Sequence, residues 1–372
     1  MTFTVGVIGG GQLARMMIPA AVNLGIDIRV LAENEGESAD LAVSMLGRAD
    51  SEADVLRFAQ GVDVVTFDHE HVPQPILKAL VGAGVRVHPG PDALLYAQDK
   101  LLMREKLSAL GLPVPDWARV ADESELAAFL AEHGGMGVLK TPRGGYDGKG
   151  VRVVRAASEA ADWFAAGDPL LVEELVEFRR ELAQLVARRP SGEIALWPVV
   201  ETVQRDGVCA EVIAPAPNSA GRIADVAADI ATTVAESLGV TGVLAVELFE
   251  TTDDRLLINE LAMRPHNTGH FSLDGSTTSQ FEQHLRAVLD LPLGATGSRE
   301  PWSVMVNILG GPPAELLAQQ TAMAMESQPT VKFHNYGKAP RPGRKVGHVT
   351  AGGDDLDEVV YRARAAAAFF ED

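Results

Sequence analysis

Two glutamates on neighbouring apolar segments are the first candidates for chemistry. Glu247 falls within the predicted strand Val243–Phe249, and Glu260 ends the predicted strand Leu256–Glu260 after a tight turn. Antiparallel pairing of these strands would bring the two carboxylates together, and such a pair in an apolar sheet is costly unless a cation neutralises it. Carboxylates combined with phosphate oxygens are typical ligands of Mg²⁺. We therefore predict a magnesium site at Glu247 and Glu260; a salt-bridge role for either is the alternative.

A turn dense in glycine precedes these strands. It follows the predicted strand Gly137–Thr141, which contains Lys140, and the turn itself carries Lys149. Glycine costs conformational entropy on folding, so four glycines among the eight residues Arg143–Gly150 indicate a need for backbone freedom. With two lysines nearby, this composition is typical of a lid over a polyphosphate. A surface hairpin with solvated lysines is the alternative.

Two further segments are suited to anions. Residues 264–270 read Arg-Pro-His-Asn-Thr-Gly-His and directly follow the predicted magnesium site. A catalytic zinc site on the two histidines is the less favoured reading of this segment. Residues 341–348 form a local basic cluster in an acidic protein, which favours a phosphate clamp over a solvated loop.

A glycine turn near the N-terminus and three acidic residues in the middle of the chain are weaker signals. Gly9-x-Gly11-x-x-Ala14 follows a predicted strand and opens a helix, an arrangement that can bind phosphate at the helix N-terminus. With Glu33 placed to bind a ribose, a dinucleotide-dependent oxidoreductase is a competing hypothesis. Glu173, Glu174 and Glu181 could bind ribose hydroxyls or the amino edge of a base, or lie on exposed strand ends.

Three parts of the chain must position these residues. Apolar strands alternate with helices to about residue 95, which predicts an open parallel sheet over residues 1–95. Residues 96–293 predict an α+β block, and residues 294–372 predict a small C-terminal domain that ends in a helix from about Leu356. The fold class is therefore mixed α/β and α+β.

Composition excludes several classes of function. The net charge of −19 argues against a nucleic-acid partner, because phosphate backbones need a basic surface. No apolar stretch is long enough to span a bilayer, so no membrane partner is expected. Cys209 is the single cysteine, which rules out an internal disulfide and fits a reduced cytoplasm.

At this point the chain resembles a known family. Lys140, Gly144–Gly150, Glu173–Val176, Glu247 and Asn259-Glu260 are similar to the ATP-grasp superfamily. The Gly-Tyr-Asp-Gly-Lys-Gly lid, the segment from Asn259 to His270 and the tail at 341–348 resemble the N5-carboxyaminoimidazole ribonucleotide synthetase family. The resemblance implies a Rossmann-like N-terminal domain, a central ATP-grasp fold and a small C-terminal domain, commonly as a homodimer. It implies Mg²⁺ with ATP, bicarbonate and 5-aminoimidazole ribonucleotide as substrates, and carboxyphosphate as the intermediate in a purine-biosynthesis step.

The resemblance also implies a role for each matching residue. Magnesium is assigned to Glu247 and Glu260. Catalysis is assigned to Asp147, Arg264, His266 and Asn267, with Asp147 and His266 both open as proton acceptors. The ribonucleotide is assigned to Gly11, Gln12, Leu13, Tyr146, Lys338, Arg344 and Lys345. ATP is assigned to Lys100, Lys140, Gly145, Tyr146, Asp147, Gly148, Lys149, Gly150, Val151, Glu173, Glu174, Leu175, Val176, Glu181, Gln204, Asn259 and Glu260.

The chain departs from the family pattern at a few positions. Lys100 stands where arginine is more common, and Gln204 stands where many relatives carry a nucleotide-contacting histidine. Both departures concern the affinity for ATP more than the type of reaction. Three rival functions remain at this stage: a formate-using glycinamide ribonucleotide transformylase of the same superfamily, the oxidoreductase, and a nucleotide sensor without turnover.

Overall fold

The computed structural model describes residues 2–145 and 150–371. The predicted lid residues Tyr146, Asp147, Gly148 and Lys149 lie outside the described residues, so their assigned roles stay predictions. Among the residues described, no helix is both long and apolar enough to cross a membrane.

The N-terminal part is a four-stranded parallel sheet with the order β3-β2-β1-β4. Strands β1 and β4 are mostly buried and apolar, whereas β2 is buried only at Val30–Ala32. Gly25 ends helix α1 in the left-handed conformation that favours glycine. The predicted strand Val85–Val87 is wrong: only Val87 pairs, in an isolated bridge to Val65. The elements are β1 Thr4–Ile8, α1 Gln12–Leu24, β2 Asp27–Ala32, β3 Val43–Leu46, α2 Glu52–Phe58, β4 Val64–Phe67, α3 Gln74–Gly82 and α4 Pro91–Gln98.

A small antiparallel sheet with the order β5-β8-β6-β7 comes next. Helices α6 and α7 accompany it, and its core contains Leu126, Leu139 and Val172. Strand β6 ends at Lys140 and β8 ends at Glu174, so both strands deliver predicted site residues at their carboxyl ends. The elements are α5 Lys100–Ala109, β5 Trp117–Val120, α6 Glu123–Glu132, β6 Gly137–Lys140, β7 Val151–Val154, α7 Ala161–Phe164 and β8 Leu170–Glu174.

A nine-stranded antiparallel sheet forms the rest of the molecule. Its order is β14-β13-β9-β11-β12-β15-β17-β16, with β10 paired to β9 in a hairpin. The elements up to residue 290 are β9 Phe178–Arg188, β10 Ile194–Leu196, β11 Val200–Arg205, β12 Val208–Ala214, α8 Arg222–Ser237, β13 Gly242–Thr251, β14 Leu256–Ala262, α9 Ser272–Gly275 and α10 Gln280–Val288. The later elements are β15 Trp302–Leu309, α11 Ala314–Ser327, β16 Lys332–Asn335, β17 Lys345–Gly353 and α12 Leu356–Ala367.

The three sequence-predicted parts are joined more closely than their boundaries indicate. The boundary at 95/96 falls inside α4, and β15, which follows the boundary at 293/294, pairs directly with β12. One buried apolar cluster runs from Ile8 and Phe67 to Leu248 and Ile258. The mixed α/β and α+β class is confirmed, whereas the domain boundaries stay predictions.

Candidate active site

A buried ion network lies where β6 meets β8. The carboxylate of Glu173 contacts Lys140 Nζ at 2.7 Å and the Nε of Arg104, and Arg104 is fully buried. Lys140 also donates to Asn259 Oδ1 at 3.2 Å, and Arg104 donates to the Asn259 carbonyl at 2.6 Å. Burial alone would raise the pKa of Glu173, but the charges of Arg104 and Lys140 outweigh it and hold the pKa below its usual value. The network fixes Lys140 and Asn259 beside each other.

A second pair of predicted ATP residues lies beside this network. Lys100, the first residue of α5, places its Nζ 3.2 Å from Glu260 Oε1. The preceding residue, Asp99, caps the helix through Leu102 N–H and accepts a bond from Arg143 Nε at 2.9 Å. Lys100 therefore reaches from the helix to one of the two predicted magnesium ligands.

Glu247 lies in a β-bulge where the register between β13 and β14 shifts, opposite Asn259 and Glu260. Bulges re-aim side chains and are common beside active sites. Burial, together with the carboxylates of Glu260 and Glu181, raises the pKa of Glu247 to about 7. The antiparallel approach of Glu247 and Glu260 that the sequence predicted is therefore present. A bound cation would reduce the repulsion between Glu247 and the neighbouring carboxylates.

The described residues hold no group of three or more histidine, cysteine, aspartate or glutamate side chains arranged for a metal. A zinc site at His266 and His270 therefore has no geometric support within that part of the chain. Two carboxylates fit magnesium better, since Mg²⁺ is commonly bound through one or two carboxylates plus substrate phosphates.

The loop that follows β14 carries the predicted anion-handling residues. His266 Nε2 lies 3.4 Å from Glu247 Oε1, and His266 Nδ1 lies 2.9 Å from Thr268 Oγ1. Burial and the positive charges of Arg264 and Lys345 hold the pKa of His266 well below its usual value. The imidazole is therefore neutral, and the lowered pKa makes it a weaker proton acceptor than an ordinary histidine.

Two acidic residues that the sequence interpretation missed complete this region. Glu70 is buried and accepts from Arg264 Nε at 2.6 Å and from Met263 N–H at 3.1 Å. Asp68 accepts from the N–H of Ala14 at 2.8 Å, and a Cβ on Gly11 would clash with its carboxylate. Both acids directly follow β4. Position after a buried parallel strand, next to the glycine turn after β1, was the available signal.

The helix after the glycine turn contacts the C-terminal part of the chain through hydrogen bonds. Lys338 Nζ donates to Gln12 Oε1 at 2.5 Å, although the two residues are far apart in the sequence. Arg15 joins the same elements by donating to the carbonyls of Ser38 and Asn335. The predicted ribonucleotide residues Gln12 and Lys338 are thus in direct contact.

The other tail residues divide. Lys345 begins β17. Its positive charge offsets part of the rise in the pKa of Glu247 and adds to the lowering of the pKa of His266. Arg344 donates to the Ala339 carbonyl at 3.2 Å, within the tail loop itself. Lys345 therefore acts electrostatically on the Glu247 side of the site, whereas the described contact of Arg344 is local.

The remaining predicted residues show contacts within the protein. Gln204 donates to Glu181 Oε2 at 2.9 Å, which brings together two predicted ATP residues. The amide of Asn267 pairs reciprocally with that of Asn307, so its side chain is buried and occupied. Their roles toward ligands stay predictions. Glu174 accepts a hydrogen bond from Asp116 N–H, and its role toward ATP also stays a prediction. The predicted ligand roles of the remaining residues stay predictions as well: Gly145, Gly150, Val151, Leu175, Val176 and Leu13.

Comparison with known proteins decides the family. Three family models match in chain order: the ribonucleotide synthetase preATP-grasp domain over residues 1–98, the ATP-grasp domain over 105–281, and the phosphoribosylaminoimidazole carboxylase C-terminal domain over 303–362. An N5-carboxyaminoimidazole ribonucleotide synthase of Mycobacterium tuberculosis is 50% identical over 371 residues, which cover 98% of this chain and 86% of the relative. The chain belongs to the N5-carboxyaminoimidazole ribonucleotide synthase family. The predicted family and fold are thereby confirmed.

Solved structures of the same family superimpose over the whole chain. The N5-carboxyaminoimidazole ribonucleotide synthetase of Thermus thermophilus is 36% identical with a TM-score of 0.89, and covers 99% of both chains. The N5-carboxyaminoimidazole synthase of Aspergillus clavatus was solved with ADP and 5-aminoimidazole ribonucleotide; it is 32% identical with a TM-score of 0.89, over 99% of this chain and 98% of that one. This synthase family therefore shares the arrangement of all three sheets.

Proposed function

We propose that this protein is an ATP-dependent carbon–nitrogen ligase that carboxylates 5-aminoimidazole ribonucleotide with bicarbonate. The product is N5-carboxyaminoimidazole ribonucleotide, an intermediate of purine biosynthesis. Family membership over the full chain supports the reaction class. A family structure that holds ADP and 5-aminoimidazole ribonucleotide supports the substrates.

One observation supports the proposal: the predicted nucleotide residues and the predicted anion residues are connected by direct contacts. Lys140 contacts Asn259, the next residue is Glu260, and Glu247 opposite them contacts His266. Arg264, two residues before His266, donates a hydrogen bond to Glu70, which lies in the segment after β4. A phosphoryl group held at the first end would lie beside an acceptor held at the second.

The chemistry proceeds in two steps. An oxygen of bicarbonate attacks the γ-phosphorus of ATP and ADP leaves, which forms carboxyphosphate. The amine nitrogen of the ribonucleotide then bonds to the carboxyl carbon, phosphate leaves, and the nitrogen loses a proton. Positive groups are needed where negative charge accumulates, and Lys140, Arg264 and Lys345 supply them. His266, held neutral, and Asp147 are both candidates to take the proton.

Magnesium would be held by Glu247 and Glu260, whose mutual repulsion fits a divalent cation. When bound, it supplies charge neutralisation at the phosphate oxygens. The protein's own groups orient the substrates: Lys140 is fixed by Glu173, and Arg264 is fixed by Glu70. Fixed donors stabilise developing charge without reorganising during the reaction.

We further propose that the anionic ribonucleotide is bound between the glycine turn and the tail, by Gly11, Gln12, Leu13, Lys338, Arg344 and Lys345. The contact of Lys338 with Gln12 supports this placement. Action as a homodimer in the cytoplasm, without a nucleic-acid or membrane partner, also remains a proposal. Its support is the family resemblance and the charge of −19.

Substrate exchange tests the proposed function. ADP release is measured with each ribonucleotide and each one-carbon acid in turn. We expect full rate only with bicarbonate and 5-aminoimidazole ribonucleotide together. Formate-dependent turnover with glycinamide ribonucleotide would assign the chain to the transformylase reaction instead, and ATP binding without turnover would indicate a sensor.

A further inference from the structure

Gln280 is a buried glutamine at the start of α10 that touches two histidines of the site. Its side chain is fully buried, and Ser279 immediately before it caps the helix. Gln280 Oε1 accepts from the backbone N–H of His266 at 2.8 Å, and Gln280 Nε2 donates to the carbonyl of His266 at 2.8 Å. The same Nε2 lies 2.8 Å from Nδ1 of His270. All of the polar atoms of its amide are therefore engaged.

The backbone of His266 fixes which way this amide faces. Turning it over would set the amide nitrogen against the His266 N–H and the amide oxygen against the His266 carbonyl. Because Gln280 Nε2 donates, Nδ1 of the buried His270 has to accept, and the single proton of a neutral ring has to sit on Nε2. Gly269 permits this close contact, since a Cβ there would lie 2.4 Å from Gln280 Oε1.

The rings of His266 and His270 lie on different sides of the site. His266 Nε2 is 3.4 Å from Glu247 Oε1, on the magnesium and phosphoryl side. His270 Nε2 is 3.4 Å from Gln12 Nε2 on the ribonucleotide side, which is a packing contact, because Lys338 donates to Gln12 Oε1 and both facing nitrogens carry hydrogen. Among the described contacts, the Gln280 side chain is the one that bonds to both histidines.

We propose that Gln280 is a positioning residue that fixes the backbone of His266 on the Glu247 side of the site and the ring of His270 where it packs against Gln12 on the ribonucleotide side. The inference rests on the proposed function, because it concerns the same reaction. Within the described residues the hydrogen-bond contacts of Gln280 include neither Lys100 nor Lys140, so its removal should change turnover and ribonucleotide binding more than ATP binding. Loss of a buried polar group that holds a backbone segment can displace a reacting side chain by enough to slow catalysis.

The same helix supplies a matched control. Gln283 is also fully buried, and its amide clamps Gly294 in the same way, with Nε2 donating to the carbonyl and Oε1 accepting from the N–H, both at 2.7 Å. Gly294 lies outside the site. Gln280→Met and Gln283→Met each remove a double clamp of one backbone residue from the same helix. Loss of stability alone would therefore appear in both variants.

The kinetic test compares these variants with every substrate varied in turn. For Gln280→Met we expect kcat to fall by roughly ten- to a hundredfold, the KM for the ribonucleotide to rise, and the KM for ATP to stay within about twofold. For Gln283→Met we expect kcat within about twofold of the parent enzyme, with a comparable loss in Tm. Equal kinetic losses in the two variants, or an unchanged kcat in Gln280→Met, would overturn the inference.

A spectroscopic test does not depend on the Met variants folding. Ring ¹⁵N NMR of the full-length protein is expected to show His270 as the neutral tautomer protonated on Nε2. In Gln280→Glu the new carboxylate accepts only, so the proton should move to Nδ1 of His270. A proton on Nδ1 in the parent protein would contradict the assigned contacts. Failure of the proposed function would appear separately, as absent carboxylation by the parent enzyme.

Discussion

Glu173 and Glu247 are both partly or wholly buried carboxylates on neighbouring sheets, yet their surroundings are opposite. Glu173 lies between two cations, Arg104 and Lys140, and its pKa lies below its usual value. Glu247 lies among other carboxylates, and burial with their charge raises its pKa to about 7. Their positions in the sequence, each in or at the end of an apolar strand, do not distinguish them.

The comparison indicates that Glu173 orients neighbouring side chains, whereas Glu247 is suited to bind a cation. Glu173 already has its counter-charges, so it serves to orient Lys140 and to anchor β14 through Arg104. Glu247 lacks a sufficient counter-charge in the protein and would gain one from a cation. Glu173 should therefore control stability, and Glu247 should control magnesium dependence.

Removing the charge of Glu173 should have the largest effect. Glu173→Gln leaves the buried Arg104 and Lys140 without their carboxylate, and breaking a buried pair costs about 3–5 kcal/mol. We expect the free energy of unfolding, measured by urea denaturation, to fall by about that amount. Glu105→Gln removes an exposed pair with Arg119 and should cost less than about 1 kcal/mol. Similar small losses in both variants would show that the buried network is not what stabilises this region.

Neutralising the predicted magnesium ligands comes next. Glu247→Gln and Glu260→Gln should each reduce magnesium-dependent turnover at least about a hundredfold, roughly 2.7 kcal/mol in the barrier, because an amide is a poorer ligand for a hard cation. The measurement is kcat as a function of Mg²⁺ concentration. Near-normal rates in both variants would make these residues structural.

Glu250 provides the control for that prediction. It lies on the same strand, is buried, and is paired with Arg179 and Arg180. Glu250→Gln should lower Tm while leaving the magnesium dependence unchanged. A shifted magnesium requirement in this variant would mean that the effect is not specific to the Glu247 side.

Removing the basic tail residues should act on one substrate. A charge-assisted contact is typically worth about 1.5–3 kcal/mol, so Arg344→Ala and Lys345→Ala should each weaken ribonucleotide binding roughly ten- to a hundredfold. Because the charge of Lys345 offsets part of the rise in the pKa of Glu247, its removal should raise that pKa further and increase the Mg²⁺ concentration that turnover requires. Steady-state kinetics with each substrate varied is the test. A rise in the KM for ATP with no rise for the ribonucleotide would show that these residues bind ATP instead.

The smallest predicted effect is on pH dependence. With a pKa near 7, Glu247 is protonated in the free protein below pH 7, and magnesium has to displace that proton. Apparent magnesium affinity should fall by about tenfold per pH unit below 7 and level off above it. The stability that the protonated Glu247 gives to the metal-free fold is present at low pH and is lost as pH rises through 7.

The Mg²⁺ dependence of turnover at pH 6 and pH 8 checks this prediction. Phosphates also take up protons near pH 6, so the Glu247→Gln variant supplies the background from ATP itself. The parent enzyme should show a steeper loss on acidification than the variant. Equal slopes would mean that Glu247 does not titrate in this range.

Local patterns allowed much of the fold and site to be predicted. The parallel N-terminal sheet, the approach of Glu247 to Glu260 and the proximity of His266 follow from short segments whose strands and turns are adjacent in the sequence. Strand-to-strand approach across a tight turn needs no knowledge of distant residues. The C-terminal helix from Leu356 was likewise predictable from its own periodicity.

Contacts between distant segments were not predictable in this way. Arg104 is the partner that gives Glu173 a buried counter-charge, yet it lies on a helix with no motif of its own. Glu70 and Asp68 join the site only because β4 lies beside β1, and Gln280 joins it through the packing of α10. Pairing of β12 with β15 also depends on the whole chain being folded. Three-dimensional packing determined these roles.

The fate of one bicarbonate oxygen shows whether the reaction passes through carboxyphosphate. If bicarbonate attacks ATP to form carboxyphosphate, the phosphate released in the second step keeps the bridging oxygen. Turnover is therefore run with freshly dissolved ¹⁸O-bicarbonate, ATP and 5-aminoimidazole ribonucleotide, and the phosphate is examined by ³¹P NMR. The account predicts one ¹⁸O per phosphate, formed together with N5-carboxyaminoimidazole ribonucleotide. Phosphate whose new oxygen comes from water would contradict it.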